Sequence, residues 1–382
     1  MRIVIPRESV AGERRTSATP ETVKKMIRLG AEVAIESGAG EAVGFDDSIY
    51  AELGAEIVTD RAGLLGSADM VLRLRKPEPD DIGMMKSGCI HVSYLDPFNE
   101  RDLIKTLADK GITAISMEMI PRSTRSQKMD ALSSQANLAG YVAVMLAAAQ
   151  LPRIFPMLMT PAGTLKPAKV FIIGAGVAGL QAIATAKRLG ARVTAFDTRP
   201  VVAEQVQSLG GKFLEIDLGD TGQTSDGYAK ELTPEQVEIQ RQAQKDVIAD
   251  SDVVITTAQV FGRKAPIIVT KDMLAAMKPG SVIVDCAAST GGNVEGIELN
   301  KELQRDKVTL IGLHDLAQYV PKHASEMYAA NVAYFLEEFF DQEKKSFDLN
   351  LEDDIIKSML TTYAGNLVQP MLVNHLNEQQ GG

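Results

Sequence analysis

Between Arg122 and Gly140 the chain reads RSTRSQKMDALSSQANLAG, two arginines, two glutamines, a lysine, an aspartate, an asparagine and a run of hydroxyls, with neither histidine nor cysteine. Such groups can hold a carboxamide, a ribose or a pyrophosphate by hydrogen bonds and charge. What is missing is the side chain that most often moves protons near neutral pH. The composition suits positioning better than acid–base work. A plainer reading stays open: Asp130 or Ser133 could simply cap the apolar helix that follows.

A second motif carries more specific chemistry. VFIIGAGVAGL places Gly174, Gly176 and Gly179 in G-x-G-x-x-G spacing, after a β-like run and before a helical pattern from Leu180 to Leu189. Gly174 permits the tight turn, Gly176 lets backbone approach a pyrophosphate, and Gly179 lets helix and strand pack closely. The helix N-terminus, with Val177 and Ala178 in its first turn, offers N–H groups and a positive dipole end to phosphates. Asp197 closes the next strand, where it can accept hydrogen bonds from both adenosine ribose hydroxyls and repel a 2′-phosphate. That predicts NAD(H) over NADP(H). Thr198 and Arg199 follow it and join the candidate cofactor-binding set; an arginine there could itself accept a phosphate.

An alcohol or amine dehydrogenase also needs a general acid/base, usually His or Lys. The chain has four histidines. His91 falls inside a predicted strand and reads as a core residue. His314 follows a strand but reads as structural, and His323 and His375 read as surface residues.

These residues need elements to place them. Strands are predicted at RIVI (Arg2 to Ile5), EVAIE, DMVLRL, CIHVSYL and TAISME, alternating with helices such as PETVKKMIRLG, opened by Pro20 and ended by Gly30. From Lys169 a second alternating unit begins, with strands at DVVITTA, SVIVDCA and VTLIGL. The alternation implies parallel sheets with helices on both faces. The expected fold is α/β: two Rossmann-like doubly wound parallel-sheet domains with a cleft between them. The first covers residues 1–137 and is rejoined by a C-terminal segment from about 333 to 382; the second, the NAD(H)-binding domain, covers 138–332. A connecting helix is expected from Leu138 to Leu151, too short to span a bilayer.

At 382 residues the chain can bury two cores. A net charge of −10 argues against a nucleic-acid surface. Two distant cysteines, Cys89 and Cys286, offer neither a disulfide framework nor metal-ligand spacing, and fit a reducing cytoplasm. No metal is expected. The N-terminus has no signal-peptide pattern.

ESVAGERRTSATPETVKKMIRLGAEVAIESGAG, the polar stretch, the glycine turn and MKPGSVIVDCAASTGGN together resemble the alanine dehydrogenase/transhydrogenase superfamily, from Met1 to about Leu336. Two branches with different chemistry are at issue. Alanine dehydrogenases carry a Lys, a His and an Asp at positions occupied here by Arg75 (in RLRKP), Asp96 (in YLD) and Ser289 (in VDCAAS); Arg15 alone survives. The polar stretch is similar instead to a loop of the soluble NAD(H)-binding component of proton-translocating NAD(P) transhydrogenases. The resemblance implies that Arg122, Gln127, Asp130 and Ser133 serve the nicotinamide end of the nucleotide, with Asn137 also near the cofactor. It implies too that Tyr228, in TSDGYAKELTPE, closes over bound nucleotide as a lid, and that Ala258 and Gly262, in TTAQVFGRKAP, lie near the adenosine or ribose. Lys264 is expected to face outward.

Transfer between two nicotinamides moves a hydride and no proton at that step, so the missing base fits the chemistry. The implied protein is a homodimer that passes hydride from NADH to NADP⁺ on a separate NADP(H)-binding component, joined to a membrane-spanning subunit. It would be cytoplasmic and peripheral to the inner membrane through those partners, as a split subunit or an isolated domain. Two rivals remain: an alanine dehydrogenase-like amino-acid dehydrogenase, and a non-catalytic NAD-binding module.

Overall fold

The computed structural model describes residues 1–219 and 232–374. The chain divides into two compact units, one made of Met1–Gln135 with Val320–Gly382, the other of Ala136–Tyr319. Return to the first unit thus begins at Val320, ahead of the expected point near residue 333. The helix Pro321–Phe339 explains this: Ala324, Ser325 and Tyr328, early in the helix, are already buried.

Among the described residues the first unit holds an eight-stranded sheet. Its spatial order is Asn366–Leu367, Leu360–Tyr363, Thr113–Ser116, Ile90–Ser93, Met70–Leu72, Arg2–Ile5, Glu32–Glu36 and Glu56–Val58. Six strands pair in parallel. The two C-terminal strands add an antiparallel edge, with an irregularity between Leu360 and Thr362. Sequence patterning misses that edge because its strands are short and their partner lies far back in the chain.

Local chemistry sets the element ends. Helix Pro20–Leu29 starts at Thr19, whose side chain accepts from the Thr22 amide in a reciprocal capping box, and ends at Gly30 with φ 99°. That is the left-handed conformation glycine adopts without a Cβ penalty. Val23 and Met26 point into a core shared with Tyr328, Val332, Phe335 and Leu336 of the long C-terminal helix.

The second unit holds a seven-stranded sheet in the order Lys212–Phe213, Arg192–Phe196, Lys169–Ile173, Val253–Thr256, Val282–Asp285, Val308–Gly312 and Lys301–Arg305. All neighbours pair in parallel except the last two, which form an antiparallel pair. The central strands are buried along their whole length, as strands covered on both faces must be. Strand order reverses at Lys169–Ile173, where the chain first builds outward and then crosses to Val253–Thr256. Open α/β sheets bind ligands beyond the carboxyl ends of the strands at such a point.

The connecting helix runs from Ala131 to Gln150, not from Leu138. Its first turns are the polar half of the stretch expected to be a loop. At this length and composition it is, among the described residues, the one helix apolar enough to cross a membrane, so the expectation that it is too short does not hold. Part of its surface is packed within the protein. Ala143, Val144 and Ala147 are buried, Ser134 Oγ lies 2.7 Å from Asn331 Oδ1, and Gln135 Nε2 donates to the Ala324 carbonyl at 3.0 Å.

Candidate functional site

The glycine turn follows the strand Lys169–Ile173 and opens the helix Val177–Arg188. Each glycine answers a different demand. Gly174 has φ 98°, and a Cβ there would meet Thr257 Oγ1 at 2.5 Å. A Cβ on Gly179 would sit 1.9 Å from the Gly174 carbonyl oxygen, so helix and turn are in backbone contact. A Cβ on Gly176 would meet nothing within 4 Å. Packing thus requires Gly174 and Gly179, while Gly176 leaves open space beside the backbone. Val177 and Ala178 form the first helical turn over that space, with amides not needed within the helix.

Thr257 clamps the turn by donating to the Gly174 carbonyl at 3.1 Å. Gly140, on the connecting helix, packs as closely: a Cβ there would lie 2.1 Å from the Ala178 carbonyl oxygen. Sequence reading assigned roles to neither. Gly140 did give a signal, since a glycine inside an alanine-rich helix costs stability unless something approaches it.

Asp197 ends the strand Arg192–Phe196, its side chain only 6% exposed. Its Oδ2 accepts from the Ala175 amide at 2.7 Å and from Arg199 Nη2 at 2.9 Å. Its Oδ1 accepts from the Arg199 amide and Nε, each at 2.8 Å. The carboxylate thereby fixes the glycine turn and holds the Arg199 guanidinium above its ordinary pKa. Thr198 between them is half-buried.

The neighbouring loop turns on a residue that sequence reading left without a role. Asn293 Oδ1 accepts from the Ala258 amide at 3.1 Å, and its Nδ2 donates to the Ala258 and Pro266 carbonyls, each at 2.9 Å. Asp285 supports Asn293 by accepting its amide at 2.7 Å, together with the Ala287 amide and the Thr256 hydroxyl. Burial pushes the Asp285 carboxyl up, against those hydrogen bonds. Gly262 adopts φ 68° in the same loop. Lys264 is exposed, its aliphatic stem lying against Gly291.

In the polar stretch, Asp130 caps the connecting helix: its Oδ1 accepts from the Ser133 amide at 2.9 Å, and the Ser133 hydroxyl donates to its Oδ2. The capping reading is therefore correct for this pair. Arg122 and Gln127 are exposed, the latter on a 3-10 turn, Gln127–Met129; Asn137 is exposed on the helix. Arg125 tethers the segment through Glu338 at 2.7 Å and Asp353 at 2.6 Å, and the Lys128 carbonyl accepts from Asn331 Nδ2 at 2.8 Å. Tyr228 and His375 lie outside the described residues.

Of the three positions that differ from alanine dehydrogenases, two have structural occupations. Arg75 Nε pairs with Glu13 at 2.7 Å, and Glu13 also pairs with the buried Arg15 at 2.7 Å. Glu13 is held down to a pKa of about 2 against the opposing effect of burial, chiefly by its hydrogen bonds and charge interaction with Arg15. Asp96 sits at φ 50° and accepts from Asn99 Nδ2 at 2.8 Å. Ser289 is exposed in the 3-10 turn Ala288–Thr290.

His91 is fully buried, its Nε2 3.0 Å from Ser93 Oγ, and burial with the nearby Arg73 charge pushes its pKa down to about 3. The unfolded imidazole titrates at its ordinary 6.5. Between these values only the unfolded chain takes up the proton, so this contribution to stability is present above pH 6.5 and is lost as pH falls towards 3. Removing the ring, as in His91→Leu, is expected to flatten the acid limb by up to about 1 kcal/mol per pH unit, read from urea melts at pH 7, 6 and 5. Equal slopes in both proteins would contradict a neutral buried ring.

Comparison with known proteins agrees with this architecture. The family described as alanine dehydrogenase/PNT matches through its N-terminal domain over residues 4–139 and its C-terminal domain over residues 143–370. The chain is 41% identical over 379 residues to an NAD(P) transhydrogenase subunit alpha protein of Rhodospirillum rubrum, covering 97% of this chain and 99% of that one. This chain belongs to the alanine dehydrogenase/PNT family. A solved transhydrogenase from Sinorhizobium meliloti superposes with a TM-score of 0.85 at 40% identity, over 97% of this chain and 100% of the other. The alanine dehydrogenase of Bacillus subtilis is 32% identical over 301 residues, covering 78% of this chain and 73% of that one. Of these relatives, the transhydrogenases match at higher identity than the alanine dehydrogenase.

Proposed function

We propose that this chain binds NAD(H) at the glycine turn of its second unit and passes hydride from NADH to NADP⁺ held by a separate NADP(H)-binding component of a membrane proton-translocating transhydrogenase. One observation carries the choice between the family's two chemistries. Arg75, Asp96 and Ser289 stand where a dehydrogenase would handle substrate and proton, and two of them are engaged in structure: Arg75 with Glu13, Asp96 in a strained turn with Asn99. A hydride moving between two nicotinamide rings needs no proton acceptor, only aligned rings and excluded water.

The chain's residues then divide the work. Residues 174–179 receive the diphosphate on open backbone and a helix N-terminus. Asp197, with Thr198, addresses the adenosine ribose, and Ala258, braced by Asn293, flanks it. Arg122 and Gln127 hold the nicotinamide end, where the carboxamide needs directional partners. Asp130 and Ser133 hold that segment in register by capping the helix on which Asn137 lies. The dinucleotide supplies the transferable hydride. The second unit is the NAD(H)-binding domain, and the chain acts as a homodimer at the cytoplasmic face of the inner membrane through its partners.

NADH oxidation by the purified chain tests this in two cuvettes, one with pyruvate and ammonium, the other with NADP⁺ and an NADP(H)-binding transhydrogenase component. Turnover in the second alone is the expected result. Oxidation in the first would mean that an amino-acid dehydrogenase can dispense with the Lys, His and Asp, and would overturn the proposal.

A further inference from the structure

The Asp197 carboxylate has a feature that a ribose-binding acid does not need. An ionised carboxylate offers about four lone-pair sites. Here four protein donors meet it: the Ala175 amide, the Arg199 amide, Arg199 Nε and Arg199 Nη2, all within 2.9 Å. Both side chains of the pair are sheltered, 6% exposed for Asp197 and 14% for Arg199. The two amides belong to backbone fixed by the glycine turn and by the strand end. The guanidinium is the one donor group that can leave by side-chain rotation. A ribose reaching Asp197 therefore competes with Arg199 and with nothing else that can move.

We propose that Asp197 sequesters Arg199, so that preference for NAD(H) over NADP(H) is set by the Asp197–Arg199 pair and not by the repulsion of Asp197 alone. This rests on the nucleotide reading given above. A guanidinium fork beside the adenosine ribose is chemically a 2′-phosphate acceptor, since it presents two parallel N–H donors to paired oxygens. While Asp197 is ionised, its carboxylate occupies the Nε–Nη2 edge of the fork, so a 2′-phosphate cannot take that bidentate edge and meets a carboxylate beside it. When Asp197 loses its charge, the same arginine turns from a bystander into a phosphate ligand. The selectivity of the site is therefore latched: one substitution removes a repulsion and releases an attraction together.

The test is a double-substitution cycle, reading NADH and NADPH affinity by fluorescence for the parent, Asp197→Asn, Arg199→Ala and the double variant. Asparagine keeps an acceptor for the Ala175 amide, so the turn is retained; Asp197→Ser is run beside it, with thermal melts to show that each variant folds. Asp197→Asn is expected to raise NADPH affinity about tenfold or more. The double variant is expected to lose most of that gain, and Arg199→Ala alone to leave NADPH as weak as in the parent. An equal NADPH gain with Arg199 present or absent overturns the latch and leaves simple repulsion. So does an NADPH gain from Arg199→Ala alone, a result that does not depend on how the Asp197 variants fold. Failure of the parent to bind NADH would instead overturn the nucleotide reading, and the latch with it.

Discussion

Gly176→Ala is expected to leave the chain as stable as the parent and to weaken NADH binding about tenfold or more, a loss of about 1.4 kcal/mol. Gly179→Ala is expected to fail differently, by destabilising the second unit. The contrast follows from what each new methyl group would touch. At position 176 the backbone has φ −78° and ψ −164°, which alanine adopts freely, and the Cβ meets no protein atom within 4 Å. It projects into the space assigned to the diphosphate, so its effect falls on the ligand. At position 179 the Cβ would stand 1.9 Å from the Gly174 carbonyl oxygen, closer than any non-bonded contact allows. The helix must then lift off the strand, and forced overpacking of this kind costs about 1–3 kcal/mol or more. Calorimetric melts and NADH titrations of both variants separate the two. If Gly176→Ala bound NADH like the parent, the diphosphate would not lie on this turn. If Gly179→Ala melted like the parent, the turn would have slack that this geometry lacks.

The same turn shows why some of the site was legible in the sequence. Gly174, Gly176 and Gly179 act through their spacing and through the strand and helix on either side, all of it local. Asp197 is also nearly local, one strand away. Residues whose role depends on distant chain segments gave no such signal. Asn293 matters because its side chain spans from Ala258 to Pro266, and nothing near position 293 announces that. Gly140 matters because the Ala178 backbone comes to it. The strand Leu360–Tyr363 joins the first sheet beside Thr113–Ser116, a pairing across most of the chain length. In the polar stretch the candidate cap Asp130 was legible, but the helix starting at Ala131 was not, because serine and asparagine favour caps and turns over helix interiors.

Gln127→Asn is expected to slow hydride transfer to NADP⁺ by one to two orders of magnitude, about 1.4–2.8 kcal/mol in barrier, while leaving NADH affinity within about twofold. The side chain sits on the exposed 3-10 turn Gln127–Met129, a segment anchored by Arg125 to Glu338 and Asp353 and by the Lys128 carbonyl to Asn331. The anchors lie on either side of Gln127, so its backbone cannot advance to compensate for a shorter side chain. Asparagine keeps the same amide chemistry and withdraws it by one methylene. On the proposed reading, binding draws mainly on the glycine turn and Asp197, which the change does not touch. Ring alignment does not: a misplacement of about 1 Å at the reacting end can cost about a hundredfold in rate. Stopped-flow transfer and equilibrium NADH binding, measured on the same preparation, give the two quantities. Equal losses in both would make Gln127 an ordinary binding contact. An unchanged rate would remove it from the nicotinamide end, and make Arg122, also exposed, the next group of the stretch to test there.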